Sequence, residues 1–330
     1  KHLFKKLLLS LPHSKNNERK MDKVLITGGA GFIGSHTADL LMKNGVAVRV
    51  LDNLSSGFRG NLPEDHALLE FVEGDIRDKA IVNRCMQGVS HCLHLAAQVS
   101  VVASIEDPEF SAQQNIVGFV NVIEAVKNHN VKRLVYASSA AIYGNPVVIP
   151  LAEDVEKTQL SPYGVEKQVN EQYADLYKYL NNTSSLGQRF FNVFGPRQDP
   201  KSPYAGVIAL FVDRISAGKP LTVFGDGEQT RDFIYVGDVA RANVAALLAT
   251  NVEGACNIAT GLKTSLLDLI QVLSDITGQQ SEITFDAPRE GDIVHSLAVT
   301  RKMNEELGVT AEVSLKQGLE KLIASSKQQS

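Results

Sequence analysis

The stretch Thr27-Gly28-Gly29-Ala30-Gly31-Phe32-Ile33-Gly34, directly behind the apolar run Val24-Leu25-Ile26, decides the fold. Its glycines recur as Gly28-x-x-Gly31-x-x-Gly34. In a strand-to-helix turn the first glycine permits the tight reversal and the next lets the backbone approach a pyrophosphate. The last lets helix and strand pack closely. The helix that starts inside the run, through Phe32 and Ile33, aims its N-terminal amides at the phosphates. Eighteen residues past Gly34 a second β-branched segment ends in Asp52, close to the offset of about 20 residues expected for a ribose-binding acid. A carboxylate there accepts hydrogen bonds from a 2′-hydroxyl and repels a 2′-phosphate, so the expected cofactor is NAD rather than NADP.

Outward from this turn, the segments 24–27, 46–52, 68–75, 91–97 and 133–139 are short and apolar, and each precedes a helix-like or loop stretch. That rhythm is βαβ winding and predicts an α/β fold, a Rossmann-type doubly wound parallel sheet with a smaller C-terminal α/β lobe. Asp75 and Ile76 after the third strand fit an adenine edge and its apolar platform; Ala96, Ala97 and Gln98 after the fourth fit a wall of the same pocket. Apolar residues at three- and four-residue spacing predict helices over 115–128 and 162–180, the second opened by Ser161-Pro162. Beyond Phe194 the alternation loosens into helices near 207–217, 239–249 and 266–277 and strands at 221–224 and 233–236. The division expected is an extension over 1–20 ahead of a natural start at Met21, an NAD-binding domain over 21–194, and a mainly substrate-binding lobe over 195–330.

The totals exclude several classes. A net charge of −4 over 330 residues provides no positive field for nucleic-acid backbones, so no nucleic-acid partner is expected. The three cysteines, Cys85, Cys92 and Cys256, are odd in number and widely spaced, which fits a reducing compartment and predicts a cytoplasmic protein. The apolar run 7–11 is too short for a signal peptide core, and no membrane span is expected. His91 and His94 fall on opposite faces of a strand, and the cysteines lack zinc-site spacing, so no metal is expected.

The chemistry is carried by Tyr163 and Lys167, four apart on one helix face, and by Ser138-Ser139 at the end of the fifth strand, the carboxyl edge where such sheets bind ligands. A phenol is a poor base at neutral pH unless positive charge stabilises its phenolate. Lys167 and an oxidised nicotinamide ring can supply that charge. Tyr163 then takes a proton from a hydroxyl as hydride leaves the carbon, while Ser139 holds the oxygen.

These residues together resemble the extended short-chain dehydrogenase/reductase family from Met21 onward. The run 191–200, Phe-Asn-Val-Phe-Gly-Pro-Arg-Gln-Asp-Pro, followed by Ser202-Pro203-Tyr204-Ala205, resembles the UDP-hexose 4-epimerases, particularly those acting on UDP-N-acetylglucosamine. The resemblance implies an isomerase in which C4 of the sugar gives a hydride to tightly held NAD, the 4-keto sugar turns, and the hydride returns to its other face. It extends the cofactor set to Asn53, Ser56, Gly57, Asn115 and Phe191. For the substrate it implies Asn192, Val223, Arg231 in Thr230-Arg231-Asp232-Phe233, Arg289 for the diphosphate, and Asp292 for the uridine ribose. Ser296 stands where a tyrosine resembles enzymes confined to non-acetylated sugars, and a serine leaves room for a 2-acetamido group. UDP-GlcNAc/UDP-GalNAc is therefore expected, with UDP-Glc/UDP-Gal also open. A homodimer through the helices at 115–128 and 162–180 is implied, as is a place in polysaccharide or lipopolysaccharide synthesis. Ala103 departs from the basic residue that family members often carry after the Gln-Val-Ser-Val stretch.

Two alternatives stay open. One is a different reaction on the same scaffold, epimerisation of UDP-glucuronate or dehydration of a nucleotide sugar; the acidic pair expected beside Ser139 for a dehydratase is absent, since Ala140 and Ala141 follow it. The other is a non-catalytic NAD-binding protein, which would have lost Tyr163, Lys167 or the serine.

Overall fold

The computed structural model describes residues 21–146, 148–199, 206–288 and 293–326. Seven parallel strands form the main sheet. In chain order these are β1 (Lys23–Thr27), β2 (Ala47–Asp52), β3 (Leu69–Glu73), β4 (His91–His94), β5 (Arg133–Ser139), β6 (Ser185–Phe190) and, much later, β11 (Ala255–Ile258). Their spatial order is β11-β6-β5-β4-β1-β2-β3. The winding reverses between β1 and β4, and the crevice at their carboxyl ends is the place where open α/β sheets bind ligands.

The strands are nearly all apolar because both faces are covered. Against one face lie α1 (Phe32–Lys43) and α8 (Val236–Leu248), sharing a core with Ile26, Val50, Leu93, Val135 and Leu186. Against the other lie α2 (Lys79–Met86), α5 (Gly118–Asn128) and α6 (Pro162–Asn181), around Leu25, Leu51, Phe119, Leu134 and Tyr136. Each fully buried leucine or isoleucine contributes about 1.5–3 kcal/mol of transfer free energy.

The helix expected over 115–128 is built differently. Short helices α3 (Val101–Glu106) and α4 (Pro108–Ala112) precede it, and a single π-helical turn over Gln113–Val117 leads into α5 at Gly118. Such wide turns are held by contacts outside the helix and recur at functional positions. Here the turn buries Asn115. The helix expected at 239–249 begins three residues earlier, at Val236, because Tyr235 ends a strand and enters it directly.

The smaller lobe is held by its own core of Ile208, Phe211, Leu221, Val223, Leu269 and Leu319. It contains α7 (Val207–Ser216), β8 (Leu221–Phe224), β9 (Thr230–Arg231), β12 (Thr264–Ser265), α9 (Leu266–Thr277), β13 (Ile283–Asp286) and α11 (Leu315–Ser326), while α10 (Arg301–Glu305), between the last two in sequence, packs on β11 with Met303 in the core of the main sheet. β8 pairs with β13, and β9 with β12; β7 (Asn192–Phe194) pairs with β10 (Phe233–Tyr235) at the junction. The chain then returns: α8 packs on α1, and β11 adds an edge strand to the main sheet beside β6. Residues 236–258 thus lie in the layer of the large domain although they follow residue 194. Among the described residues no helix is long and apolar enough to cross a membrane.

Candidate active site

The glycine turn is closed by sterics that only glycine satisfies. Gly28 has φ +71°, and a Cβ there would stand 2.6 Å from the amide nitrogen of Ala96. A Cβ on Gly34 would stand 2.2 Å from the Gly28 carbonyl oxygen. Helix α1 starts after Gly31 with no side-chain cap and no acid in its first turn, so its first amides are left for an anion. Asp52, 7% exposed at the end of β2, accepts from the Ala30 amide (2.9 Å) and the Leu54 amide (2.9 Å). Opposite it, a Cβ on Gly57 would lie 3.1 Å from both carboxylate oxygens, so a glycine lets the loop pack closely over that carboxylate. This cradle fits a dinucleotide pyrophosphate with its adenosine ribose at Asp52.

The adjoining turns carry the rest of the expected cofactor set. Asp75 is oriented by Arg77 (2.9 Å) and by the Asn53 amide (3.1 Å), and these bonds outweigh partial burial to hold its carboxyl at about 2. Ile76 is buried under α5. Ala96, Ala97 and Gln98 follow β4, and the Gln98 amide group turns inward to Ser111 (3.1 Å) and the Ser100 carbonyl (2.9 Å). Ser56 is exposed beside Asp52, while Phe191 is buried against Tyr143. Asn115 corrects the expectation of a direct cofactor contact. It is 1% exposed, and its amide is committed to the Gln98 backbone and to Glu166, so it braces the wall from behind.

At the carboxyl end of β5, Ser161 caps α6 by accepting from the Gly164 amide (3.2 Å), and Pro162 occupies the first turn. Tyr163 and Lys167 both point into the protein. The Ser139 hydroxyl accepts from the Ala141 amide (3.1 Å) and lies near enough to the Tyr163 phenol to draw its titration down. Ser138, expected with the catalytic group, is a correction: it packs against the middle of α6, where it donates to Glu171 (2.6 Å) at 2% exposure.

The electrostatics also revise an expectation. Lys167 lies 5.6 Å from the Tyr163 ring centroid and donates to the Ala137 carbonyl (3.1 Å). Burial depresses it to about 8, against the pull of Glu166. Burial likewise pushes the Tyr163 phenol up to about 12, and the nearby Ser139 offsets only part of this. Burial thus works against the phenolate, and a bound oxidised nicotinamide ring would supply further positive charge in its favour.

The substrate residues split. Asn192 is half-buried on β7, next to the Asp232 carbonyl that its amide reaches at 3.0 Å. Asp232, absent from the sequence reading, is fully buried and pins the lobe by accepting from Thr260, Gly261 and Ala298. Arg231 donates to the carbonyls of Thr230 (3.0 Å) and Val294 (3.4 Å). Ser296 is 6% exposed, its amide bonded to the Thr230 carbonyl at 3.0 Å. Val223 is buried on β8, and behind it opens a groove of about 620 Å³ lined by Phe224, Gln229, Phe285, Ile293 and Val294 among others. Arg289 and Asp292 lie outside the described residues, as do 1–20 and the Ser202-Pro203-Tyr204-Ala205 stretch. Among the described residues no group of histidine, cysteine and carboxylate side chains is arranged to hold a metal. His91 bonds Ser90 and His94 bonds Thr27, as packing residues.

The sequence reading also missed Glu171 and Arg189. The available signal was a charged residue in the middle of the buried strand β6, which requires a partner.

Residues 24–259 match the model of the NAD dependent epimerase/dehydratase family. The chain belongs to that family. Its cofactor is NAD, as the cradle and Asp52 require, and it is an enzyme of the isomerase type. A putative UDP-glucose 4-epimerase of Methanocaldococcus jannaschii is 40% identical over 302 residues, which span 91% of this chain and 97% of that protein. The UDP-N-acetylglucosamine 4-epimerase of Methanobrevibacter ruminantium M1, solved with UDP-N-acetylmuramic acid, superposes with a TM-score of 0.91 at 35% identity, over 94% of this chain and all of that one. The UDP-glucuronic acid 4-epimerase of Bacillus cereus, solved with UDP-glucuronic acid and NAD, gives 0.86 at 31% identity, over 93% and 100%.

Proposed function

We propose that the protein interconverts the C4 epimers of a UDP-hexose, with UDP-GlcNAc/UDP-GalNAc the preferred pair and UDP-Glc/UDP-Gal accepted as well. The observation that carries this reading is the buried Tyr163 phenol close to Ser139 at the carboxyl edge of β5, with Lys167 one turn away on the same helix, 5.6 Å from the phenol ring. When bound, NAD supplies a reversible hydride acceptor. Ser139 holds the sugar O4 and Tyr163 removes its proton as C4 becomes a carbonyl. After the 4-keto sugar has turned, Tyr163 returns the proton to O4 on the opposite configuration, and the net redox change is zero. Such a cycle needs a firm grip on the nucleotide and a loose one on the sugar. The groove lined by Phe224, Gln229, Phe285, Ile293 and Val294 is read as the place of the UDP end.

The sugar preference rests on Ser296. A serine is smaller than a tyrosine by the volume of a phenol ring, and on this reading that difference admits the 2-acetamido group. The same protein is read as a homodimer: α6 and the π-helical turn before α5 leave Val117, Val165, Leu176 and Leu180 exposed, an apolar face suited to a second copy.

The test is to incubate the purified protein, without added NAD, with UDP-GlcNAc, UDP-glucose or UDP-glucuronate, and to resolve products by NMR. Formation of UDP-GalNAc, abolished by Tyr163→Phe, supports the whole reading. Conversion of UDP-glucose alone overturns the Ser296 argument, and conversion of UDP-glucuronate alone overturns the hexose assignment.

A further inference from the structure

Glu166 lies three residues after Tyr163 and one before Lys167, on the buried side of α6, at 3% exposure. A buried carboxylate is costly, and this one is bonded through one oxygen only, Oε1 being buried without a hydrogen-bond partner. One oxygen, Oε2, accepts from the Ser111 hydroxyl on α4 (2.9 Å) and from the Asn115 amide in the π-helical turn (2.6 Å). Asn115 in turn donates to the Gln98 carbonyl (2.8 Å) and accepts from the Gln98 amide (2.9 Å). Ser111 also receives a bond from the Gln98 side chain (3.1 Å). One acceptor-only group on the catalytic helix thereby reaches the turn after β4, the cofactor wall, along two routes.

The arrangement has a directional logic. A carboxylate can only accept, so it turns the Asn115 NH2 toward itself and leaves Asn115 Oδ1 to receive the Gln98 amide. The π-helical turn is the local distortion that carries Asn115 inward to make this bridge. Along the same helix, Tyr163 Nα donates to the Ser104 hydroxyl (3.2 Å), a second tie to the short helices.

We propose that Glu166 is a positioning residue: through Ser111 and Asn115 it locks the helix carrying Tyr163 and Lys167 to the Gln98 wall of the cofactor pocket, setting the distance between phenol and nicotinamide. It touches neither cofactor nor substrate. The proposal deepens the reading of this site as an NAD-dependent epimerase and rests on it for its kinetic readouts.

The experiment compares Glu166→Gln and Ser111→Ala with wild type in three measurements: NAD affinity by calorimetry on cofactor-stripped protein, the kcat and KM split across pH, and the melting temperature. The expected result for Glu166→Gln is NAD affinity weaker by about tenfold and kcat reduced by a similar factor at unchanged KM. Glu166 also raises the Tyr163 phenol, so removing its charge moves the acid limb of the kcat profile to lower pH. Ser111→Ala keeps the charge and is expected to weaken NAD binding less, with the limb unmoved. A Glu166→Gln protein with wild-type NAD affinity and an unmoved limb, changed in melting temperature alone, reduces Glu166 to a packing contact and overturns the proposal. If Glu166→Gln does not fold, wild-type NAD affinity in Ser111→Ala does the same. If wild type converts no UDP-sugar, the function reading fails, and the NAD affinities of the variants still decide the lock.

Discussion

Glu171 on α6 and Arg189 on β6 form a buried two-point ion pair, Nε to Oε1 at 2.9 Å and Nη2 to Oε2 at 2.8 Å, one turn beyond Lys167. Ser138 completes the carboxylate, and the second guanidinium nitrogen reaches the Tyr143 hydroxyl (2.7 Å) and the Glu153 carbonyl (2.7 Å). The pair joins the catalytic helix to the sheet. Removing one partner strands a buried charge, so Arg189→Met is expected to cost about 3–5 kcal/mol in urea unfolding. The double variant Arg189→Met with Glu171→Leu should recover much of that loss. A single variant as stable as wild type would show that the pair does not fasten α6.

Asp52 shapes the glycine turn by accepting from the Ala30 and Leu54 amides, and on the proposed reading it also receives the cofactor ribose. Asp52→Asn keeps the volume but removes the charge and leaves one acceptor oxygen for two backbone amides. NAD affinity is expected to fall roughly tenfold to a hundredfold, the worth of one or two charge-assisted hydrogen bonds. Discrimination against NADP should relax at the same time. Titration calorimetry with both cofactors reads each change.

Ser296→Tyr fills space next to the Thr230 carbonyl. On the proposed reading it lowers kcat/KM for UDP-GlcNAc by about tenfold or more while sparing UDP-glucose, since steric exclusion acts on the larger substrate alone. Parallel loss on both sugars, measured by product NMR, would count against a pocket wall at this position.

Acid should unfold the protein partly through two histidines. Burial, then the nearby Lys132 and Arg133, depress His91 to about 4; burial, then Lys167, depress His94 to about 3. Below about 6.5 the unfolded chain binds protons that the folded one refuses, so falling pH favours unfolding. Each histidine contributes up to about 1.4 kcal/mol per pH unit between the unfolded and folded values. Urea midpoints measured at pH 6.5, 6.0 and 5.5 should decline, and His94→Asn should flatten the decline. A profile identical to wild type would place the acid sensitivity elsewhere.

Much of the site was legible because its chemistry is local. The glycine spacing, Asp52 at the end of β2 and the Tyr163–Lys167 pair each lie within one strand, turn or helix, where spacing alone sets which side chains share a face. The positions of β1 to β5 followed for the same reason, since parallel strands buried on both faces read as continuous apolar runs; β3 and β4 end at Glu73 and His94, short of the expected 75 and 97. The π-helical turn was hidden because 113–128 has ordinary helical periodicity, and what widens the turn is the bond from Asn115 to Glu166, 51 residues away. Ser138 and Ser139 looked alike in sequence; only the packing of α6 on β5 gave Ser138 to Glu171, midway along the helix, and left Ser139 at the strand end near Tyr163 in its first turn.

What the sequence by itself determined is the cradle, since close backbone approach at Gly28 and Gly34 and a carboxylate at Asp52 need no distant partner to be recognised. Only the tertiary structure decided how the reacting group is held. Tyr163 is tuned by burial more than by Lys167, and α6 is fastened by Glu166 and Glu171 to partners on other elements. The physical reason is that desolvation and buried hydrogen bonds depend on what the whole chain packs around a side chain, and that is written in no single stretch of it.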